Sequence, residues 1–318
     1  MNDVVIGIDT SNYRTSVSAV TTDGKIVLND RKLLPVSHGD RGLRQSDAVF
    51  SHIRQLQSVE NSLREIASEY RIAAVAASTS PVDGAESYMP VFQAGKTMAL
   101  MLSSVLNVPF FPTTHQRGHL AAAAAGTIIQ DLNDYLAMHL SGGTTDLLCV
   151  QGDQIRRIGY GLDLHAGQLV DRAGVSMGLD FPSGPQLEAL ALKGENHSLL
   201  GCSMEADDLN CHLSGAEAQI RRWILEGNMS RENIAREIYS LLARTFARMA
   251  FAGFRNTGFR NLLVTGGIAS SPLFRQMYTE RISKFRCPLN TVFGKPEFSG
   301  DNAVGVALIG IHKLLQCR

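Results

Sequence analysis

Residues 6–20, IGIDTSNYRTSVSAV, and residues 136–150, LAMHLSGGTTDLLCV, follow one plan, and that repetition decides the fold. Each is an apolar strand, a turn of small or hydroxyl-bearing residues, then a second apolar strand. Such a turn offers backbone N–H groups with little side-chain bulk, which suits close approach to a phosphate. Either one alone reads as a plain hairpin. The pair, one in each half of the chain, predicts two related lobes that grip one nucleotide between them. Further short apolar runs, over residues 72–77 and 262–265, alternate with amphipathic stretches, which is the order of an α/β protein. One helix is expected over residues 47–70, with Ser46 as its cap and Val49, Ile53, Leu56, Leu63 and Ile66 on its apolar face. A second is expected to open at Ser230.

At 318 residues the chain is long enough for two domains, and 44% hydrophobic with 19% charged residues excludes a disordered or fibrous chain. Thirty Lys and Arg balance thirty Asp and Glu, so any contact with nucleic acid must come from a local patch rather than a bulk field. Five cysteines without paired spacing read as reduced thiols. No apolar run reaches the length of a membrane helix and the first residues lack a basic and apolar leader, so a cytoplasmic location with no membrane partner is expected.

Candidate chemistry begins at TTHQRGHLAAAAAG, residues 113–126. His115 and His119 lie one helical turn apart, so both rings can reach one cation, and imidazole favours zinc or iron. The alternative is a surface helix with two solvated histidines. A zinc peptidase would need a glutamate directly after the first histidine, and Gln116 cannot act as a base there. A carboxylate is the natural third ligand, for which Asp301 in FSGDNAVGVA is the candidate; as a helix N-cap it reads equally well. LLVTGGIASS, residues 262–271, places Gly266 and Gly267 at a strand end where a ligand can approach the backbone. In residues 162–190, Asp171 and Glu188 each lie near a helix end, fit to bind ribose or an ammonium group, or simply to complement helix dipoles.

Taken together these segments resemble, over nearly the whole chain, the family of the tRNA threonylcarbamoyladenosine transferase TsaD, long labelled glycoprotease or O-sialoglycoprotein endopeptidase. GIDTSNYRTSV resembles its GIETSCDDTSV, HQRGH its HxxGH metal helix, and LSGGTTDL its SGGHTQL phosphate turn. AGQLVDRAGVSMGLDFPSGP is similar to AGEAFDKxAxxLGLxYPGGP, while TGGIASSPLFR and FSGDNAVGVA are similar to AGGVAANxxLR and FCTDNGAMIA. The resemblance implies a two-lobed actin/sugar-kinase/Hsp70-like (ASKHA) α/β fold with duplicated ribonuclease H-like lobes. Residues 1–133 form a first lobe with the metal helix, and residues 134–318 a second with the phosphate turn and the GG motif. A helix over 303–316 packs back on the first lobe.

It further implies an iron or zinc ion held by His115, His119 and Asp301, and a phosphate turn at Ser141, Gly142, Gly143 and Thr144. Asp171, Gly184, Glu188, Gly266, Gly267 and Ser271 contact an adenine nucleotide, either ATP with magnesium or an acyl adenylate. Asp9 lies near phosphate or a bridging water and is, with Asp171, a candidate catalytic carboxylate. The implied reaction moves a threonylcarbamoyl or related carbamoyl group to N6 of a tRNA adenosine. Implied partners are tRNA, a small paralogous protein or a second copy of the chain. Departures point to a divergent paralogue: Gln168 replaces a glutamate, Arg172 a lysine and Ser271 an asparagine, and Glu217 stands at a basic position. Asn12, Tyr13 and Arg14 replace Cys-Asp-Asp, and residues 36–47 keep little of the family pattern, with Arg44 and His52 as remnants. Two other readings compete: a catalytically weak nucleotide- and metal-binding paralogue acting through partners, and a metallopeptidase, which Gln116 disfavours.

Overall fold

A computed structural model describes residues 2–11, 14–35, 44–84 and 86–317; Asn12, Tyr13 and residues 36–43 of the departures above lie outside the described residues. The chain divides into two compact units, Met1–Ala125 with Gly300–Arg318, and Gly126–Ser299. The first unit runs β1 (Asp3–Thr10), β2 (Arg14–Thr21), β3 (Ile26–Leu33), α1 (Gln45–Gln57), α2 (Glu60–Glu69), β4 (Arg71–Ser80), α3 (Phe92–Leu106), β5 (Phe110–Thr114) and α4 (His115–Ala124). Its sheet has the order β3-β2-β1-β4-β5, with β1 antiparallel to β2 and parallel to β4. β1 and β2 are buried along almost their whole length, β1 through a run of apolar residues and β2 through apolar residues interleaved with small Ser and Thr side chains.

The second unit runs β6 (Asp134–Leu140), β7 (Thr145–Gln151), β8 (Gln154–Tyr160), α5 (Ala166–Ser176), α6 (Gly184–Ala191), β9 (Ser203–Met204), β10 (Cys211–His212), α7 (Ser214–Glu226), α8 (Arg231–Thr257), β11 (Asn261–Thr265), α9 (Pro272–Ser283) and β12 (Asn290–Phe293). Its sheet order, β8-β7-β6-β11-β12, repeats that of the first unit strand for strand. The directions repeat as well: β6 is antiparallel to β7, β7 to β8, and β6 is parallel to β11. The duplicated hairpins of the sequence are thus β1–β2 and β6–β7, the first two strands of two copies of one sheet. The last helix, α10 (Val304–Gln316), packs in the first unit against β1, β4 and α4. Among the described residues no helix is long and apolar enough to cross a membrane.

Three local expectations need correction. The helix expected over residues 47–70 is two helices, α1 and α2. At the break, Ser58 and Val59 donate their N–H groups three residues back, to Gln55 and Leu56, and the Ser58 hydroxyl also bonds the Gln55 carbonyl at 2.6 Å. A hydroxyl bonded to its own backbone offers the chain an exit from the helix, and the periodicity of apolar residues is blind to it. Ser46 does not cap α1: the N-cap is Arg44, and the Ser46 hydroxyl bonds Asp47 instead. The buried face of α1 is Ala48, His52 and Leu56, while Ile53 is exposed. The signal at Ser230 does operate: it caps α8 by accepting from the Asn233 N–H, and Thr114 likewise caps α4 by accepting from the Arg117 N–H.

Candidate metal centre and nucleotide-binding residues

Within the first unit, β5 delivers the chain into α4 at the Thr114 cap, so His115 and His119 occupy one face of the helix's first two turns. Asp301 comes from a segment 182 residues later than His119. His115 Nε2 and His119 Nε2 lie 3.1 Å apart, and Asp301 Oδ1 is 3.2 Å from His119 Nε2 and 3.6 Å from His115 Nε2. Three ligand atoms about 2.1 Å from one ion at tetrahedral or octahedral angles stand roughly 3.0–3.4 Å from one another, so this donor set fits a transition ion closely. Asp301 does not cap α10, because Asn302 Oδ1 accepts the Val304 N–H at 3.1 Å. That removes the competing reading of Asp301.

Asp9, fully buried on β1, has both carboxylate oxygens 3.0 Å from His115 Nδ1. The Nδ1–H is therefore committed to Asp9, and Nε2 turns a lone pair toward His119 and Asp301. Such a carboxylate behind a ligating histidine fixes the tautomer and raises its basicity. As metal ligands all three atoms would be acceptors, which repel unless a cation sits among them. In the metal-free chain a proton takes that place: burial opposes the charge on His115, but the charge and hydrogen bond of Asp9, with Asp301 beyond, push it up to about 9. Burial acts against the Asp301 carboxylate too, yet the His119 hydrogen bond and both imidazoles hold it well below the usual range. Its other oxygen, Oδ2, accepts the Ser11 hydroxyl at 2.9 Å, and its carbonyl accepts from Arg14 at 3.3 Å. Arg117, between the histidines, grips both oxygens of Asp83 at 2.9 and 2.7 Å and ties the segment after β4 to α4.

In the second unit the turn Ser141–Thr144 closes through a Ser141 N–H bond to the Thr144 carbonyl, and Gly142 and Gly143 are exposed. Gly167, in the first turn of α5, donates to the Ser141 carbonyl at 3.0 Å, so the N-terminus of α5 abuts the turn. Gly266 has φ +101° and an added Cβ would lie 2.2 Å from the Leu140 carbonyl oxygen, so only glycine lets β11 end beside the turn. Gly267 beside it is exposed. The GG pair leads into a short 3-10 turn before α9 rather than directly into a helix.

Asp171 and Glu188 are mid-helix residues of α5 and α6, not helix-end charges as expected from the sequence. Asp171 accepts the Ser183 N–H at 2.8 Å, just before Gly184 opens α6, and burial raises its pKa against that bond. Glu188 Oε1 accepts both the Ser271 hydroxyl at 2.7 Å and the Leu273 N–H at 2.8 Å. Ser271 also caps α9 through Phe274, so its hydroxyl makes two bonds already. Tyr239, which the sequence reading passed over, donates to the Gly184 carbonyl; burial first and then the Glu188 charge push its phenol up. Gln168 accepts the His165 N–H as a reciprocal cap, and Arg172 faces Glu217 at 3.8 Å. The two basic-to-acidic and lysine-to-arginine departures thus meet as one ion pair.

A family model described as TsaD, tRNA N6-adenosine threonylcarbamoyltransferase, matches residues 50–308. The chain belongs to the TsaD family. Curated relatives with that activity in their names include those of Methanopyrus kandleri, 28% identical over 97% of this chain and 87% of the relative, and of Thermofilum pendens, 26% identical over 96% and 88%. Among solved structures, HypF from T. kodakarensis matches with a TM-score of 0.65 at 15% identity over 99% of this chain, which spans only 48% of the HypF chain. The ROK hexokinase from Thermus thermophilus matches with a TM-score of 0.58 at 12% identity over 98% and 99%. At such identities the likeness concerns the fold alone, and the fold is that of the ASKHA class.

Proposed function

We propose that this TsaD-family chain is a metal- and nucleotide-dependent transferase that moves a threonylcarbamoyl, or related carbamoyl, group from an adenylate to N6 of a tRNA adenosine. The observation that carries the reading is the convergence of His115, His119 and Asp301, whose ligand atoms lie within 4.8 Å of one another. Two imidazoles and one carboxylate suit iron or zinc. A bound ion would supply Lewis-acid polarisation of the carbamoyl carbonyl. Asp9 holds the His115 tautomer. The exposed Gly142–Gly143 turn leaves room for a phosphate to approach, and the α5 N-terminus, whose Ala166 and Gly167 N–H groups are committed to Thr145 and Ser141, contributes its dipole. Asp171, its pKa raised by burial against the Ser183 bond, is the candidate catalytic carboxylate of the second unit.

The test is complementation of a strain lacking its own transferase, read by mass spectrometry of tRNA nucleosides. Restored N6-threonylcarbamoyladenosine is expected, and its absence removes the tRNA acceptor. One observation favours a second reading, a nucleotide- and metal-binding protein that works through protein partners: Glu188 and Ser271 already bond each other and the α9 N-terminus. Calorimetry showing tight adenine-nucleotide binding by protein that turns over no carbamoyl adenylate would select it.

Asp171→Asn separates function from stability. A carboxylate whose folded pKa is raised stabilises the fold only while protonated, a contribution present below its ordinary value of 3.8 and lost as pH rises through the folded value. At neutral pH the ionised form is therefore a cost. Asparagine keeps the oxygen that accepts from Ser183, so thermal unfolding at pH 7 is expected at the wild-type temperature or above, with transfer lost. A clear drop in melting temperature would mark Asp171 as structural.

A further inference from the structure

His52 is the polar residue on the buried face of α1, with none of its surface exposed. Both ring nitrogens are engaged: Nε2 lies 2.7 Å from the Ser11 carbonyl oxygen and Nδ1 lies 2.7 Å from Thr15 Oγ1. A carbonyl oxygen only accepts, so Nε2 carries the hydrogen, and Nδ1 accepts from the Thr15 hydroxyl. The ring therefore bridges Ser11, directly after β1, and Thr15 in β2. The same Ser11 sends its hydroxyl to Asp301 Oδ2 across 290 residues of chain. Two bonds in series thus run from a helix face to a metal-ligand candidate: His52 to the Ser11 main chain, and the Ser11 side chain to Asp301.

We infer that His52 is a positioning residue, which fixes the Ser11 main chain so that its hydroxyl holds Asp301 Oδ2 and leaves Oδ1 aimed at His115 and His119. A buried imidazole hydrogen-bonded to two neutral groups could be replaced by an apolar ring if packing were its only task. Its two bonds instead span the turn that meets Asp301. The inference rests on the metal reading of the triad.

Cobalt(II), whose visible spectrum reports ligand geometry, is the probe, titrated into full-length chelator-treated protein. Wild type is expected to bind it; absence of binding defeats the metal reading itself, and the inference with it. His52→Phe keeps the ring volume and removes both bonds. It is expected to weaken cobalt binding about tenfold, the lower end of what outer-shell changes cost, and to alter the visible spectrum. His52→Gln, whose amide can still donate to the Ser11 carbonyl, is expected within about threefold of wild type. Ser11→Ala is expected to weaken binding about tenfold or more, and the Ser11→Ala/His52→Phe double variant to be no weaker than Ser11→Ala alone. Wild-type affinity and spectrum in folded His52→Phe, additive losses in the double variant, or His52→Gln as weak as His52→Phe would each overturn the inference. Should His52→Phe fail to fold, Thr15→Val keeps the imidazole and removes only the hydroxyl that donates to its Nδ1. Cobalt binding weaker by more than about threefold then supports the inference, and unchanged binding overturns it.

Discussion

Asp301→Ala is expected to lower affinity for cobalt(II) or zinc at least about a hundredfold, since loss of an outer-shell partner alone costs 10–100-fold and Asp301 is the one anionic donor of the triad. Two imidazoles remain in that variant, 3.1 Å apart on one helix, and two neutral ligands cannot offset the desolvation of a dication as three with a charge do. Asp301→Asn, which keeps an oxygen for the Ser11 hydroxyl but loses the charge, should fall between the two. Equilibrium dialysis or cobalt absorption checks both, with chelator-treated unfolding as the control that the variant is folded. Glu217→Ala, which acts on an exposed ion pair of the second unit, should leave metal affinity unchanged. Asp301→Ala binding within about threefold of wild type would remove the metal reading and the proposed chemistry together.

How much of this was legible beforehand depended on the range of the interaction concerned. The two hairpins could be read because a strand–turn–strand is local, and repetition of one local plan in each half predicts two copies of one sheet. The histidine pair was legible because helical geometry converts a spacing of four into one face. Asp301 was not legible from spacing at all; without the resemblance it remained equally a helix cap, and what decides is that Asn302, not Asp301, accepts the Val304 N–H at the start of α10. Ser11 lies inside the opening motif and His52 reads as a remnant of the family pattern, but neither position says what its side chain bonds. Only the fold shows that their partners lie 290 and 41 residues away. α1 misled for a related reason: the most apolar stripe includes exposed Ile53, whereas the face that packs includes a histidine whose polarity is satisfied by a distant carbonyl. Glu188 and Ser271 read as ligand contacts in sequence, and the structure adds that they bond each other.

Gly305→Ala is expected to damage stability and metal binding together, because one backbone contact serves both. An added Cβ at Gly305 would lie 1.8 Å from the Gly118 carbonyl oxygen and 2.7 Å from the Ala122 backbone nitrogen. Main-chain atoms inside a helix cannot swing aside as a side-chain tip can, so α10 and α4 must part. Overpacking in a tight core costs typically about 1–3 kcal/mol, and at about 2–4 °C per kcal/mol a fall in melting temperature of roughly 2–12 °C is expected. The site suffers with the core because Gly118 lies between His115 and His119, and Gly305 lies four residues after Asp301, so the two ligand-bearing segments are the two that separate. A shift of even half an ångström disturbs a metal site, and a loss of affinity of at least tenfold should accompany the lowered melting temperature. Gly142→Ala is the counterpart: nothing lies within 4 Å of an added Cβ there, so stability should be unchanged even though the residue belongs to the candidate phosphate turn. If Gly305→Ala melted like wild type yet lost metal, the helices would have found another packing, and the contact would locate the ligands without holding the first unit together. If it lost stability and kept full affinity, the triad would be held by the Ser11 and Asp9 bonds alone, independently of the helix pair that carries it.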